Sequence, residues 1–261
     1  MTELFALSRD RFSEFVSHLG EVAILSMRTA RALFRRPFES TEILRQMESL
    51  GVRSLGIVAV TSIFIGMVMT VQFAFGLRRF GGVEYIPRVI VLSFSRELAP
   101  TLTAVIVGGR IGSGMAAEVG SMNVTEQVDA IRALGADPIK KLVLPRVVAS
   151  ILVMPMLSVF ALALGTIGAI IICSLQFNIS PELFIRSSLD SIKVSDVVSG
   201  LVKTPFFGYI IAICGCYFGL QTTGGTEGVG QSTTRTVVVV SIAILIADFL
   251  LTKLLITFGI G

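Results

Sequence analysis

Five ionisable residues, Lys253 among them, interrupt otherwise apolar stretches, and the other four are the groups in this sequence best placed to do chemistry. Arg96 and Glu97 are adjacent, and Lys203 and Asp248 lie in two later stretches. An ionisable side chain near the centre of a bilayer costs at least ~2.5–3.5 kcal/mol, so it normally faces protein or a polar cavity. Neighbouring helical residues point about 100° apart, so Arg96 and Glu97 each need a separate partner. We predict the pairs Glu97–Lys203 and Arg96–Asp248, either within one chain or crossed between two copies.

Two roles remain open for these charges. They can act structurally, by holding helices together. Alternatively, Arg96 or Glu97 lines a cavity that receives a lipid headgroup, where a guanidinium suits a phosphate.

A second candidate surface lies at the outer end of the first apolar stretch, before the bend at Gly81-Gly82. We predict that this face contacts acyl chains, because Met and Phe provide a broad and adaptable apolar wall. Ordinary helix packing or contact with bulk lipid is the alternative. The predicted lipid-binding residues are Met69, Gln72, Phe73, Leu77, Phe80, Arg96 and Glu97.

The composition excludes most other classes of protein. Of 261 residues, 53% are hydrophobic and only 15% are charged, with a mean hydropathy of +0.83. Soluble domains carry about 25% charged residues, so a soluble enzyme and a disordered chain are both excluded. His18 is the only histidine, which leaves no credible catalytic set and no zinc or haem site. We attribute the net charge of +4 to loop residues that set the orientation of the chain in the membrane, and not to nucleic-acid binding.

Hydropathy predicts an all-α integral membrane protein with five transmembrane helices, near 54–75, 88–108, 147–175, 197–220 and 237–258. Close helix packing is expected at the four-residue spacings Ala161/Gly165 and Gly215/Gly219. Fourteen lysines and arginines lie on the N-terminal side, against five in the opposite loops. This bias places the N-terminus in the cytoplasm and the C-terminus outside.

Residues 1–46 form a predicted N-terminal helical region, and residues 47–261 form the five-span membrane domain. Apolar residues recur at helical spacing opposite polar ones, which is typical of an amphipathic helix at a membrane surface. A docking face for other helices is the alternative, and Arg35-Arg36-Pro37 is expected to end this helix. The two sides are Phe12, Phe15, Val16, Leu19 and Val22 against Arg11, Glu14, His18 and Glu21.

The loop 109–146 carries capping signals that a flexible linker does not need. Asn123 is a predicted N-cap with Glu126 at the third helical position, and Gly135 is a predicted C-cap. Asp137-Pro138 predicts the start of a second short helix. Val124, Val128, Ile131 and Leu134 form an apolar stripe along the first. The alternative is a surface loop that only connects two spans.

The run from Arg96 to Arg146, together with 233–238 and 248–252, closely resembles the MlaE/YrbE permeases. These are the membrane subunits of ABC transporters that move phospholipids or other lipids between bacterial membranes and into chloroplasts. The resemblance covers nearly the whole chain after about residue 40. It implies that 118–135 is a cytoplasmic coupling helix that docks on a separate ATPase subunit. The implied coupling residues are Glu118, Glu126, Gln127, Asp129, Arg132 and Leu134.

The same resemblance implies a homodimer, two cytoplasmic ATPase subunits and a periplasmic MCE-domain lipid-binding partner in a bacterial inner membrane. No cofactor is expected in this chain, with ATP and Mg on the ATPase subunits. The nearest approach to a phosphate-binding loop is Gly225 to Ser232, but Gln231 stands where the lysine must be. An ion-coupled secondary transporter built on the four membrane charges is the alternative function. A membrane-embedded lipid enzyme is a second, with no catalytic residues to support it.

Overall fold

The computed structural model describes residues 2–34 and 39–259, with side chains from Val16 onward. This part of the chain is helical and contains no strand. Its α-helices are α1 (Thr2–Leu33), α2 (Ser40–Arg78), α3 (Ile86–Ser93), α4 (Thr103–Val124), α5 (Gln127–Ala133), α6 (Leu144–Phe177), α7 (Pro181–Leu189), α8 (Val194–Leu220) and α9 (Gly225–Thr257). The π-helical segment Phe94–Leu102 joins α3 to α4 without a break. A 3₁₀ turn (Val83–Tyr85) leads directly into α3, and a second π-helical segment (Ile139–Val143) leads directly into α6.

Five helical stretches are long and apolar enough to cross a membrane, which confirms the predicted fold class. They are Ser40–Arg78, Val83–Val124, Ile139–Phe177, Val194–Leu220 and Gly225–Thr257. Several begin earlier than predicted, and the first starts at Ser40 and not near residue 54. Hydropathy detects only the apolar part of a helix, whereas backbone hydrogen bonding continues into the polar turns at its ends.

Small residues set the packing of the bundle, in which α2 lies along α6 and α4 lies against α8 and α9. A Cβ atom at Gly165 would overlap the Phe94 ring, and one at Gly168 would overlap the Ile63 carbonyl oxygen. Gly215 and Gly219 press in the same way on α4. The predicted close packing is therefore confirmed, and it brings neighbouring backbones into contact.

The helix α1 meets the bundle through both polar and apolar residues. His18 Nδ1 lies 2.6 Å from the Tyr217 hydroxyl of α8, and that hydroxyl donates to Glu21 Oε2 at 2.8 Å. On the predicted apolar side, Val22 packs against the core, whereas Val16 and Leu19 are about half exposed. The polar contacts form because a buried hydroxyl needs hydrogen-bond partners. The side chains predicted at positions 11, 12, 14 and 15, and the break at 35–37, lie outside the described residues.

Replacing Gly168 with Ala tests the backbone contact between α2 and α6. We expect the free energy of unfolding in detergent to fall by about 1–3 kcal/mol, because the added methyl meets a backbone carbonyl that cannot move aside. Gly56→Ala is the matched control, since a Cβ atom there meets nothing within 4 Å. Equal thermal midpoints for the two variants would contradict the packing described here.

Candidate functional site

The π-helical segment Phe94–Leu102 carries Arg96 and Glu97 and lies between α3 and α4. Pro100 lies inside this segment and has no N–H, so the ordinary helical hydrogen bond at that position cannot form. The wider turn that results is typical of functional sites in membrane and soluble helices. Opposite it, Gly200 of α8 lies directly against the Ser95 carbonyl, where a Cβ atom would overlap the oxygen. The segment is therefore pressed closely onto α8.

Lys203 is the centre of the membrane charges, with only 1% of its surface exposed. Its ammonium Nζ lies 2.8 Å from Glu97 Oε1 and 3.3 Å from Asp248 Oδ1. It also donates to Thr252 Oγ1 at 2.6 Å and to the Arg96 carbonyl at 3.2 Å. The predicted Glu97–Lys203 pair is present within one chain, and one buried cation joins α8, α9 and the π-helical segment.

Within one chain, the predicted Arg96–Asp248 pair does not form. Arg96 Nε lies 3.5 Å from Asp196 Oδ1, while Asp248 shares Lys203 with Glu97. Asp196 lies in the first turn of α8, two helical turns before Lys203, so both face the π-helical segment. The prediction missed Asp196 because the fourth span was started at residue 197. The seven-residue spacing from Asp196 to Lys203 was the signal that could have identified it.

A cavity of about 420 Å³ opens beside these charges, which we call the α7-end cavity. It brings the predicted residues Met69 and Phe73 of α2 together with Arg96 and Glu97. One wall is charged and the others are mainly apolar, an arrangement suited to an amphiphile. The lining residues are Met69, Phe73, Leu92, Ser93, Arg96, Glu97, Leu98, Ser199, Lys203, Thr252, Leu255 and Ile256.

Three of the predicted lipid-binding residues do not line this cavity. Gln72 is exposed, Phe80 is 88% exposed beyond the end of α2, and Leu77 packs against the core. Met69 and Phe73 are four residues apart and share the helix face that Gln72 does not. The α9 residues Thr252, Leu255 and Ile256 were missed, because only the fold brings that end of α9 to α2.

The predicted coupling helix is not continuous. α4 runs through Glu118 and Asn123 to Val124, and the short helix α5 follows only after Glu126, whose φ is 58°. Asn123 is therefore not an N-cap, and its side chain instead donates to the Thr222 carbonyl beyond α8 at 3.0 Å. Gly135 lies just after α5 with a left-handed φ of 76°, as predicted for a residue that ends the helix. Asp137 Oδ1 accepts from the Ile139 amide at 3.0 Å, so a helix starts here as predicted. It is not a second short helix, because Ile139–Val143 continues directly into α6.

α5 presents a mixed surface with one anchored side. Val128 is fully buried, whereas Leu134 is 86% exposed and Gln127 is exposed. Asp129 and Arg132 form an exposed ion pair at 2.8 Å.

Glu118 has an internal partner that the sequence did not indicate. Its carboxylate lies 2.9 Å from Arg146 Nη2, and the nearly buried Arg146 guanidinium also donates to the Leu142 carbonyl at 2.7 Å. This contact braces the end of α4 against the start of α6. The stretch 119–145 is consequently held at both ends, by α4 and by α6.

Replacing Lys203 with Met tests its role as the centre of the charge cluster. We expect a loss of about 3–5 kcal/mol in the free energy of unfolding, because Glu97 and Asp248 lose their shared counter-ion. The triple variant K203M/E97Q/D248N removes those charges as well and should recover most of the thermal stability. A single variant as stable as the unmodified chain in detergent would contradict this role.

Comparison with known proteins supplies independent information on this arrangement. A family model described as "Permease MlaE" matches residues 43–254. A probable ABC transporter permease protein of Synechocystis is 46% identical over 212 residues, 81% of each chain. One from Rickettsia typhi is 40% identical over 242 residues, 93% of each chain. The protein Trigalactosyldiacylglycerol 1, chloroplastic, of Arabidopsis thaliana is 39% identical over 241 residues, 92% of this chain and 69% of that protein.

Proposed function

The chain belongs to the MlaE permease family, and we propose that it moves phospholipids or related lipids as the membrane subunit of an ABC transporter. The α7-end cavity is the observation that carries this proposal. It combines a charged wall with an apolar wall at the end of the bundle where α2 and α9 approach each other. A phospholipid has the same two-sided chemistry.

Arg96 is the proposed contact for the lipid phosphate. Its side chain is 30% exposed and its Nε lies 3.5 Å from Asp196, a loose pairing that leaves guanidinium donors free. A guanidinium can bind two phosphate oxygens at once, whereas the Lys203 ammonium is already committed to Glu97 and Asp248. Met69 and Phe73 then contact the acyl chains near the headgroup. The Arabidopsis relative carries the name of a galactosyl diacylglycerol, which shares the two acyl chains of a phospholipid but has no phosphate.

Energy is proposed to come from separate ATPase subunits that hold ATP and Mg. The α5 region offers them exposed residues at both of its ends, Glu126 and Gln127 at the start and Leu134 directly after the last turn. The Glu118–Arg146 contact and the Asn123–Thr222 hydrogen bond link this end of α4 to α6 and to the end of α8. Movement of α5 therefore passes through rigid contacts to the helix that carries Lys203, and this chain performs no covalent chemistry.

The proposed assembly is a homodimer with two ATPase subunits at the α5 end and an MCE-domain partner at the α7 end. The exposure of α9 is the argument for a second copy. Only 11% of its most apolar stretch is buried within a single chain, which leaves a surface for α9 to pack against that copy. The proposed location is a bacterial inner membrane, with the α5 end and the N-terminus cytoplasmic and the C-terminus periplasmic.

Replacing Arg96 with Gln tests the cavity. We expect phospholipid that co-purifies with the complex, measured by mass spectrometry, to fall about tenfold, since a charge-assisted hydrogen bond contributes about 1.5–3 kcal/mol. R96K should retain part of the binding, and Arg186→Gln on α7 is the control, because Arg186 does not line the cavity. R96Q/D196N removes the carboxylate left behind, so a folding defect is separated from lost binding. An unchanged amount of co-purified phospholipid in both R96Q and R96Q/D196N would refute the cavity role.

Replacing Leu134 with Asp tests the coupling surface. Because Leu134 is 86% exposed, the fold should tolerate the change, whereas co-purification of the ATPase and ATP-driven lipid transfer should be lost. Leu189→Asp on α7, also strongly exposed, is the matched control for co-purification of the ATPase, because it lies at the opposite end. Lipid transfer that proceeds without any ATPase subunit would instead support the ion-coupled transporter.

A further inference from the structure

A second and larger cavity of about 560 Å³ lies at the α5 end of the bundle, between α2, α4 and α9. We propose that this α5-end cavity is a second binding site for the phosphate headgroup of a lipid. The inference rests on the proposed function, which it extends to a second lipid-binding site at the other side of the membrane. The residues used below are Gln46, Ser49, Leu50, Arg53, Arg110 and Glu118.

The two cavities lie at opposite ends of the same two helices. On α2, Leu50 of the α5-end cavity precedes Met69 of the α7-end cavity by 19 residues, about 28 Å along a helix. On α9, Thr234 precedes Thr252 by 18 residues, about 27 Å. The hydrocarbon core of a bilayer is about 30 Å thick, so the two cavities are about as far apart as its two layers of headgroups.

The charges of the α5-end cavity favour an anion. Arg110 Nη1 donates to Ser54 Oγ at 2.7 Å, which holds the guanidinium while leaving its other donors free. Within residues 16–34 and 39–259, neither Arg53 nor Arg110 forms an ion pair with a carboxylate. Glu118 is the acidic residue in the lining, and its carboxylate is held by Arg146 at 2.9 Å. Two guanidinium groups therefore remain uncompensated, and phosphate is the anion whose geometry suits them.

An apolar stripe runs along α2 from the α5-end cavity. Ile57, Val60, Phe64 and Val68 follow Arg53 at spacings of three and four residues, and all four are exposed. Acyl chains can lie against this stripe while the headgroup lies in the α5-end cavity. A charged cavity beside an exposed apolar face matches the two-sided chemistry of a phospholipid.

Photo-crosslinking in the intact complex, without ATP, tests this site. A photoreactive residue replaces Ser49 in the α5-end cavity or Ser93 in the α7-end cavity, both half-buried serines. The complex is placed in nanodiscs of radiolabelled phosphatidylglycerol. We expect lipid crosslinks at both positions, with R53Q/R110Q lowering the Ser49 crosslink at least about tenfold and leaving the Ser93 crosslink unchanged. R53K/R110K should retain most of the Ser49 crosslink, and Arg78→Gln, at the other end of α2, should alter neither.

The outcomes separate the two proposals. A crosslink at Ser93 but not at Ser49, or one at Ser49 that survives R53Q/R110Q, would overturn the second site alone. Absence of crosslinks at both positions would overturn the proposed lipid function itself. Inorganic phosphate added to the nanodiscs distinguishes the source of the ligand: a lipid site keeps its Ser49 crosslink, whereas loss of that crosslink assigns the site to free phosphate and overturns the lipid assignment.

Discussion

The buried ammonium of Lys203 is the constraint on which the packing at the α7 end of the helix bundle depends. A cation taken out of water in an apolar bundle must be compensated by nearby carboxylates and hydrogen-bond acceptors. Glu97, Asp248 and Thr252 supply them from the π-helical segment and from α9. Three elements distant in sequence are therefore held at one point, and the backbone contact between Gly200 and Ser95 lets them approach closely enough.

This cluster also explains why the α7-end cavity has a polar wall. Lys203 pairs with the carboxylates of Glu97 and Asp248, so Arg96 pairs with Asp196 instead, at a longer distance. Part of the Arg96 side chain remains exposed. Membrane charges that were fully paired could only stabilise the bundle. An incompletely paired guanidinium beside Met69 and Phe73 can also bind an anionic amphiphile, so the structural and functional roles of these charges are compatible.

The α5 end follows a different principle, in which short contacts stiffen an irregular connection. The left-handed backbone at Glu126 stops α4 and turns the chain into α5, while Glu118–Arg146 and Asn123–Thr222 fix the two sides of this turn. A short helix held in this way suits the proposed transmission of movement to the helices behind it. The exposed Leu134 that follows it is not required by the fold, which leaves this side chain free for the proposed ATPase contact.

The sequence alone determined the helical class and the five spans, because a chain in lipid must satisfy its backbone hydrogen bonds internally. It also predicted the Glu97–Lys203 pair and the close glycine contacts, since buried charges need partners and small residues let backbones meet. Only the tertiary structure showed the partner of Arg96, the polar contacts of α1 with α8 and the break in the coupling helix. These features depend on how each helix is rotated about its axis and on which distant residues it meets, and local spacing carries no information about either. The two cavities are likewise decided only by packing, because each is enclosed by helices that are far apart along the chain.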